Sequence, residues 1–199
     1  ILRKKWVAEW IEERNPSIRG EFKLTMTAYR RYRVSGGTYF FTVNLAERDR
    51  RLLTEHIGTL RDAFRRVRAA HPFRIEAIVV LPDHLHTLWT LPAGDHDFSL
   101  RWRQLKSAFS RAMETGEHLS TSRAHKRERG IWQRRFWEHA IRDEEDFSRH
   151  VDYIHYNPVK HGHVKSVVEW PYSSFHRHVG WGVYPADWAG AGIVDLEVE

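Results

Sequence analysis

Two histidines flank a leucine at positions 84 to 86, and this spacing suits a divalent metal ion. In a β-strand, residues i and i+2 point to the same face. His84 and His86 would therefore stand side by side, while Leu85 points to the opposite face. Imidazole nitrogens are common ligands of divalent metals. The chain has 14 histidines, so two surface histidines at this spacing are the alternative, and the pair alone does not establish a metal site.

A tyrosine and an asparagine share one face of a predicted helix further along the chain. Phe147, Val151 and Ile154 recur at i, i+4 and i+7, which is typical of a helix that packs on a core. Tyr153 and Asn157 are four residues apart and therefore lie on a common face, where a hydroxyl nucleophile and an amide oxygen could act together. The structural alternative is a half-buried tyrosine and an asparagine that ends the helix before a proline.

Three neighbours of Tyr153 could take part in its chemistry. Tyr156 is the rival nucleophile, but only Tyr153 has an asparagine four residues later. A tyrosine hydroxyl has a pKa of about 10, so it needs a metal ion or a base to activate it. His150 and His155 are both close in sequence, and the sequence does not choose between them.

Two segments interleave cations with aromatic rings: Tyr-Arg-Arg-Tyr-Arg at 29–33 and Trp-Gln-Arg-Arg-Phe-Trp at 132–137. Single-stranded nucleic acid is bound by this combination, because arginines bind phosphates and rings stack on bases. The net charge of +6 also favours a polyanionic partner, although a solvated basic surface is the alternative. The predicted DNA contacts are Tyr29, Arg30, Arg31, Arg134 and Arg135.

Composition restricts the class of protein. A chain of 199 residues, 41% of them hydrophobic, suits one domain with a real core. Because it contains no cysteine, disulfides, thiolate zinc sites and cysteine nucleophiles are excluded. No apolar run approaches the ~20 residues of a membrane span, and the first residues lack the hydrophobic core of a signal peptide. We therefore expect a cytoplasmic protein without a membrane partner.

The elements that must position these side chains follow from the periodicity of the sequence. Strands are predicted at Thr38–Asn44, Phe73–Val80, His84–Leu91 and Phe136–Ile141. Helices are predicted at Arg50–Ala70, at Phe98–Met113, and from the N-cap Asp143 to about Pro158. Apart from the last helix, this order is the split βαβ, ferredoxin-like arrangement. The expected fold class is α+β, an antiparallel sheet with helices on one face.

Three further segments complete the predicted organisation. Residues 1–25 predict a short amphipathic helix and a polar link, an extension to one catalytic domain formed by residues 26–199. Residues 115–130 are polar and poor in apolar side chains, which predicts a mobile loop. The tail after Val167 is aromatic and is expected to be irregular.

Six sequence blocks, in order, resemble the REP-associated tyrosine transposases, relatives of the single-strand insertion-sequence transposases in the HUH superfamily. The resemblance spans roughly 29–190, whereas residues 1–25 have no counterpart and the loop at 115–130 is longer than the family pattern. The blocks are Tyr-Arg-Arg-Tyr (29–32), Gly-Gly-Thr-Tyr-Phe-Phe-Thr-Val-Asn-Leu (36–45), Val-Val-Leu-Pro-Asp-His-Leu-His (79–86), Trp-Gln-Arg-Arg-Phe-Trp-Glu-His-Ala-Ile-Arg (132–142), Val-Asp-Tyr-Ile-His-Tyr-Asn-Pro-Val-Lys-His-Gly (151–162) and Trp-Pro-Tyr-Ser-Ser-Phe (170–175).

The resemblance implies roles for individual residues. The two-histidine motif of the family falls on His84 and His86, its tyrosine nucleophile on Tyr153, and its polar metal ligand on Asn157. The implied cofactor is Mg²⁺ or Mn²⁺. The implied reaction is attack of Tyr153 on single-stranded DNA near a REP hairpin, which leaves a 5′-phosphotyrosine and a free 3′-hydroxyl.

The resemblance also implies single-stranded or hairpin DNA as the partner, in the bacterial cytosol at the nucleoid. Whether the protein is a monomer or a homodimer stays open. Two other functions stay open as well. One is a metal-dependent nuclease in which water attacks and Tyr153 is structural, and the other is a hairpin-DNA binder without activity.

Overall fold

The structure, a computed structural model, describes residues 33–115, 121–125 and 129–188. Neighbouring strands of its sheet are antiparallel, in the order β2-β3-β1-β4. With β1 and β3 at the centre, this is a ferredoxin-like sheet, and the predicted α+β fold class is confirmed. The four strands are β1 (Thr38–Asn44), β2 (Arg74–Val80), β3 (His84–Thr90) and β4 (Trp137–Ala140).

Six α-helices and one 3₁₀ turn lie within the described residues. No helix in this part of the chain combines the length and the apolar character that a membrane crossing requires. The predicted helix within residues 1–25 and the predicted contacts Tyr29, Arg30 and Arg31 fall outside the described ranges. The elements are α1 (Leu52–Glu55), α2 (Ile57–Ala70), α3 (Phe98–Arg111), α4 (Thr121–His125), α5 (Glu144–Lys160), the 3₁₀ turn (Val167–Glu169) and α6 (Phe175–Gly180).

Helices cover both faces of the sheet. On one face, Phe41 of β1 and Trp89 of β3 pack with α2 and α3 in a common core. On the other face, Phe40 and Leu88 pack with α5 and the tail that follows it. The expectation of helices on one face therefore holds for the helices that connect strands, and α5 is added on the opposite face. The cause is that β1 and β3 are apolar on both sides, so neither face can be left to water.

Helix α5 carries the candidate nucleophile, and its two ends explain its length. Asp143 caps the start by accepting a hydrogen bond from the backbone N–H of Asp146 at 2.8 Å. Pro158 was expected at the end but lies inside the helix, which continues to Lys160. The last turn remains helical after the proline, because the N–H groups of residues 161, 162 and 163 bond the carbonyls of residues 157, 159 and 158.

Three other segments differ from the sequence prediction. The expected helix Arg50–Ala70 is interrupted at His56, whose backbone is not helical and separates α1 from α2. The expected mobile loop contains α4, where Arg123 donates a hydrogen bond to the Trp132 carbonyl at 3.1 Å. The expected irregular tail contains the 3₁₀ turn and α6, because its aromatic side chains, such as Phe175, are buried against α5.

Candidate functional site

His84 and His86 lie on β3, an inner strand whose seven residues are all buried. Their rings are 4.9 Å apart and point to the face covered by α5. Leu85 points into the core on the opposite face. Strand alternation therefore arranges the pair as the sequence predicts.

Hydrogen bonds fix the orientation of both imidazoles. Asp83 Oδ1 accepts a hydrogen bond from His84 Nδ1 at 2.7 Å, and Asp83 is itself paired with Arg48. His86 Nδ1 lies 2.9 Å from the hydroxyl oxygen of Thr42 on the neighbouring strand. With both Nδ1 atoms engaged, the Nε2 atoms remain for another partner, as in metal-binding histidines held by an outer hydrogen bond. His86 Nε2 is buried and has no hydrogen-bond partner among the described residues.

The electrostatic environment keeps both histidines neutral. Burial lowers the pKa of His86 well below its usual value. The neighbouring side chains of His84, His161 and Lys160 shift this pKa in the same direction. Burial also lowers the pKa of His84, although Asp83 opposes the shift. Neutral imidazole is the form that binds a metal ion, so both side chains are ready to act as ligands at neutral pH.

Tyr153 and Asn157 approach the pair from α5. The Tyr153 ring is 5.2 Å from the His86 ring and 5.9 Å from the Phe40 ring. Lys160 Nζ lies 5.0 Å from the centre of the Tyr153 ring. Burial raises the pKa of the Tyr153 hydroxyl, and the nearby Asn157 side chain lowers it by a smaller amount. The hydroxyl is therefore protonated at neutral pH and must lose its proton in order to attack.

The residues present fit a divalent metal ion. Asn157 is fully buried, and neither its amide oxygen nor its amide nitrogen has a hydrogen bond of good geometry among the described residues. Buried polar atoms without a partner are rare because they lose their bonds to water. His86 Nε2 and the Asn157 oxygen are ligand atoms of the kind that Mn²⁺ or Mg²⁺ accepts. His84, His86 and Asn157 are thus the residues that could hold the ion.

Two further residues at the end of α5 belong to this neighbourhood, and the sequence reasoning missed both. The His161 ring is 5.2 Å from the His84 ring, and burial lowers its pKa. Lys160 lies over Tyr153, as described above. The signal was available, since His161 follows Asn157 by four residues and Lys160 follows Tyr153 by seven. Both residues were missed because Pro158 was assumed to end the helix.

A second cluster on the same sheet face joins His139 of β4 to Asp146 and His150 of α5. His139 Nε2 is 2.8 Å from Asp146 Oδ2, and His150 Nδ1 is 3.2 Å from Asp146 Oδ1. One ligand atom from each residue lies within 4.8 Å of the others, a separation that could also hold a metal ion. These atoms already bond one another, and Arg142 also donates to Asp146 at 3.0 and 3.2 Å. The hydrogen-bonded network explains the cluster without an ion.

Asp146 holds this network together, so its removal is expected to destabilise the fold. Burial alone would raise the pKa of Asp146, but hydrogen bonds from His139, His150 and Arg142 hold it far below the usual range. We expect Asp146→Ala to lower the free energy of unfolding by about 1.5–3 kcal/mol, because the donors that bond this buried carboxylate lose a charged acceptor. Urea unfolding would measure the change. The control Glu145→Ala removes an exposed carboxylate from the same helical turn, and an equal loss in both variants would contradict a special role for Asp146.

The other predicted accessory residues lie elsewhere on α5. His155 Nε2 is 3.0 Å from the Ser174 hydroxyl oxygen, and its ring packs against Phe175 and Tyr184. This places His155 among the side chains of the tail and not beside Tyr153. The half-buried Tyr156 packs on the α5 core. Of the predicted residues, His84, His86 and Tyr153 have neighbouring rings, Asn157 lies beside Tyr153, and His150 lies in the adjacent cluster.

A basic cavity of about 610 Å³ lies between α3, α4 and the segment before β4. Lys106 Nζ lies 5.4 Å from the Phe136 ring, and Arg134 donates a hydrogen bond to Ser122 at 3.0 Å. Arg135 is exposed and does not line the cavity. The combination of cations and rings is that of a surface for nucleic acid. The cationic lining residues are Arg103, Lys106, Arg111, Arg123, Arg129 and Arg134.

Comparisons with known proteins identify close relatives, although no family model matches the chain. A REP-associated tyrosine transposase of Escherichia coli (strain K12) is 53% identical over 165 residues, which cover 83% of this chain and 92% of the relative. A relative from Haemophilus influenzae is 48% identical over 166 residues, covering 83% and 94%. A solved structure of a REP-associated tyrosine transposase bound to a REP hairpin superposes with a TM-score of 0.71 at 52% identity, covering 83% and 92%.

Proposed function

Because the chain belongs to the REP-associated tyrosine transposases, a family of enzymes, we propose that it cuts and rejoins single-stranded DNA beside REP-type hairpins, with Tyr153 as the nucleophile. One observation carries the proposal. The Tyr153 ring stands 5.2 Å from His86, whose Nε2 atom is buried without a partner, and Asn157 four residues later has a free amide oxygen. The proposed nucleophile thus lies beside a proposed metal ligand.

His84, His86 and Asn157 would hold the cofactor, Mg²⁺ or Mn²⁺. When bound, the ion supplies Lewis-acid polarisation of a phosphate oxygen and orients the phosphate. The protein fixes the ligands beforehand, since Asp83 and Thr42 bond the Nδ1 atoms and leave Nε2 available. This support by outer hydrogen bonds favours a defined geometry over a flexible one.

The reaction itself is a transesterification in which the number of phosphodiester bonds is conserved. The Tyr153 oxygen attacks the phosphorus, and the bond from phosphorus to the 3′-oxygen breaks. The tyrosine loses its proton and the 3′-oxygen gains one, so that a 5′-phosphotyrosine and a 3′-hydroxyl result. A 3′-hydroxyl can reverse the step and join strands without ATP. The positive charge of Lys160, 5.0 Å from the Tyr153 ring, would favour the anionic phosphate beside it.

We further propose that hairpin DNA is the partner. The relative of known structure was solved bound to a REP hairpin, and the basic cavity beside α3 supplies cations with neighbouring rings. Arg134 and Arg135 are the described candidates for phosphate contacts. Tyr29, Arg30 and Arg31 remain predicted contacts outside the described residues.

Binding should therefore depend strongly on salt. Each phosphate contact on a single strand lowers log K by about 0.7 for each tenfold rise in salt. Replacing both Arg134 and Arg135 with alanine should reduce this slope by about 1.4, because two cations no longer displace counterions. Fluorescence anisotropy with a labelled hairpin at several salt concentrations measures the slope. The control Arg65→Ala removes an exposed arginine that pairs with Asp62 on α2, and an equal change of slope in that variant would contradict the assignment.

The competing function is a metal-dependent nuclease in which water attacks the phosphate. It would use the same metal ligands, and the raised pKa of Tyr153 is compatible with a structural tyrosine. The two functions differ in one product, since only tyrosine attack leaves protein covalently attached to DNA. Incubating a 3′-end-labelled single-stranded hairpin with Mn²⁺, denaturing the mixture and searching for label that migrates with protein therefore separates them.

A further inference from the structure

Three flat rings form a stack that ends at the surface near the candidate site. Trp137 of β4 stacks on His139 at 5.9 Å with an angle of 5° between the rings. His139 stacks on His150 of α5 at 4.8 Å with an angle of 12°. We call this arrangement the ring stack. Its outer member, Trp137, is 37% exposed, although most large apolar side chains of the described residues are buried.

The inner part of the ring stack is held rigidly. Asp146 Oδ2 lies 2.8 Å from His139 Nε2, and the Asp146 backbone carbonyl oxygen lies 2.7 Å from His150 Nδ1. The edge of Phe40 packs against Trp137 at 5.6 Å and against His150 at 4.8 Å. An exposed tryptophan on such a support is already ordered, so it loses little side-chain entropy when a ligand binds.

The sheet register places Trp137 close to the histidine pair. Thr42 of β1 lies opposite His86 of β3 on one side and opposite Trp137 of β4 on the other. Directly opposed residues point to the same face, so His86 and Trp137 share the face that carries Tyr153. Two strand spacings separate their backbones, which is roughly 10 Å. A phosphate at the histidine pair and a base at Trp137 could therefore belong to nearby nucleotides of one strand.

We propose that the exposed ring of Trp137 is a stacking site for an unpaired nucleobase next to the phosphate that Tyr153 attacks. The inference rests on the proposed function, which supplies DNA as the ligand and the position of the phosphate beside Tyr153. Inside a duplex, both faces of a base are already stacked, whereas an unpaired base can offer a free face to Trp137. The site therefore favours the single strand that flanks a hairpin over the interior of its stem. Because every base has a flat face, stacking alone gives little preference among the four bases.

An abasic scan can test the site without any cleavage. The probe is a REP-type hairpin with a single-stranded flank, in which each flanking nucleotide in turn lacks its base, and binding is measured by anisotropy in EDTA. At one position we expect wild type to lose roughly 5- to 150-fold in affinity, the range for stacking of one base on an aromatic ring. In Trp137→Ala, removing the base at that position should lower the affinity almost no further, because the ring on which the base stacks is already absent.

Two further variants make the test specific. Trp137→Phe keeps a flat ring and should retain part of the sensitivity at the same position. Trp181→Ala removes another exposed tryptophan, 56% exposed and beside Arg177, and should keep the wild-type profile. Thermal unfolding of each variant checks that it is folded.

Three outcomes would overturn the inference. The first is an abasic profile of Trp137→Ala identical to that of wild type, and the second is an equal effect of Trp181→Ala. The third is wild-type protein that binds no hairpin DNA, which would overturn the proposed function as well. If the abasic profile of Trp137→Ala equals that of wild type, and the protein still binds, cuts and forms the adduct, only the stacking inference is contradicted.

Discussion

Replacing Tyr153 with phenylalanine is expected to abolish strand cleavage and the covalent protein–DNA adduct while the fold remains intact. The substitution removes one hydroxyl, and the remaining ring can still pack against Phe40 and His86. No other group then supplies the attacking oxygen, so cleavage should fall by at least about 10⁴-fold, in line with the loss of other enzymatic nucleophiles. The measurement is transfer of 3′-end label from a single-stranded hairpin to protein in the presence of Mn²⁺. That label stays with the strand whose 5′-phosphate is captured.

Tyr156→Phe is the matched control for this prediction. Tyr156 also lies half-buried on α5, but of these two tyrosines it is Tyr153 whose ring lies beside His86. The control should therefore keep both cleavage and the adduct. If the two variants behave in the opposite way, Tyr156 is the nucleophile. If wild type cuts without an adduct at any time, the water-attacking nuclease is the better account, and if it neither cuts nor forms an adduct on any hairpin, a DNA binder is.

The sheet was predictable because its signals are local. Thr38–Asn44 is a run of aromatic and β-branched residues after two glycines, and the strand has those bounds in the structure. Gly36 adopts φ 69°, a left-handed conformation that glycine tolerates. The face of each histidine was predictable for the same reason, since alternation along a strand needs no knowledge of the rest of the fold.

The errors at element ends come from tertiary contacts. A proline predicts the end of a helix through its missing N–H group, yet α5 continues because carbonyls beyond that point find partners in the residues that follow. The tail after Val167 has little helical periodicity. Its described part, up to residue 188, is held to the sheet because Val80 N–H bonds the Tyr172 carbonyl and the Trp170 indole bonds the Val80 carbonyl. Such bonds join residues about ninety positions apart, and no local pattern reveals them.

The candidate site also contains features that local sequence patterns predict and features that depend on tertiary contacts. The pairing of Tyr153 with Asn157 follows from helical spacing, and the structure places the Tyr153 ring 5.2 Å from the His86 ring. The assignment of His150 to a network with Asp146 and His139 depends on how β4 packs against α5, so the sequence could not choose between His150 and His155. Likewise, Trp137 lies near His86 only because both strands pair with β1 in a particular register.

Removing the proposed metal ligand His86 is expected to abolish cleavage while hairpin binding is largely kept. His86→Ala deletes the ring, and His86→Phe keeps a flat ring of similar size that lacks ligand nitrogens. Both variants should lose the bound metal, because each removes the buried Nε2 atom of His86, which has no hydrogen-bond partner among the described residues. Affinity for the hairpin should change little, since the basic surface supplies most of it.

Two measurements separate a metal role from a structural one. Electron paramagnetic resonance of Mn²⁺ counts bound ions without relying on activity, and the gel assay follows cleavage and adduct. Wild type should bind one Mn²⁺ and lose cleavage in EDTA, whereas both variants should resemble wild type in EDTA. His96→Ala removes an exposed histidine and should behave as wild type in both assays. Cleavage by His86→Phe at the wild-type rate, or wild-type cleavage that persists in EDTA, would remove the metal from the mechanism, and Tyr153 would then need another group to accept its proton.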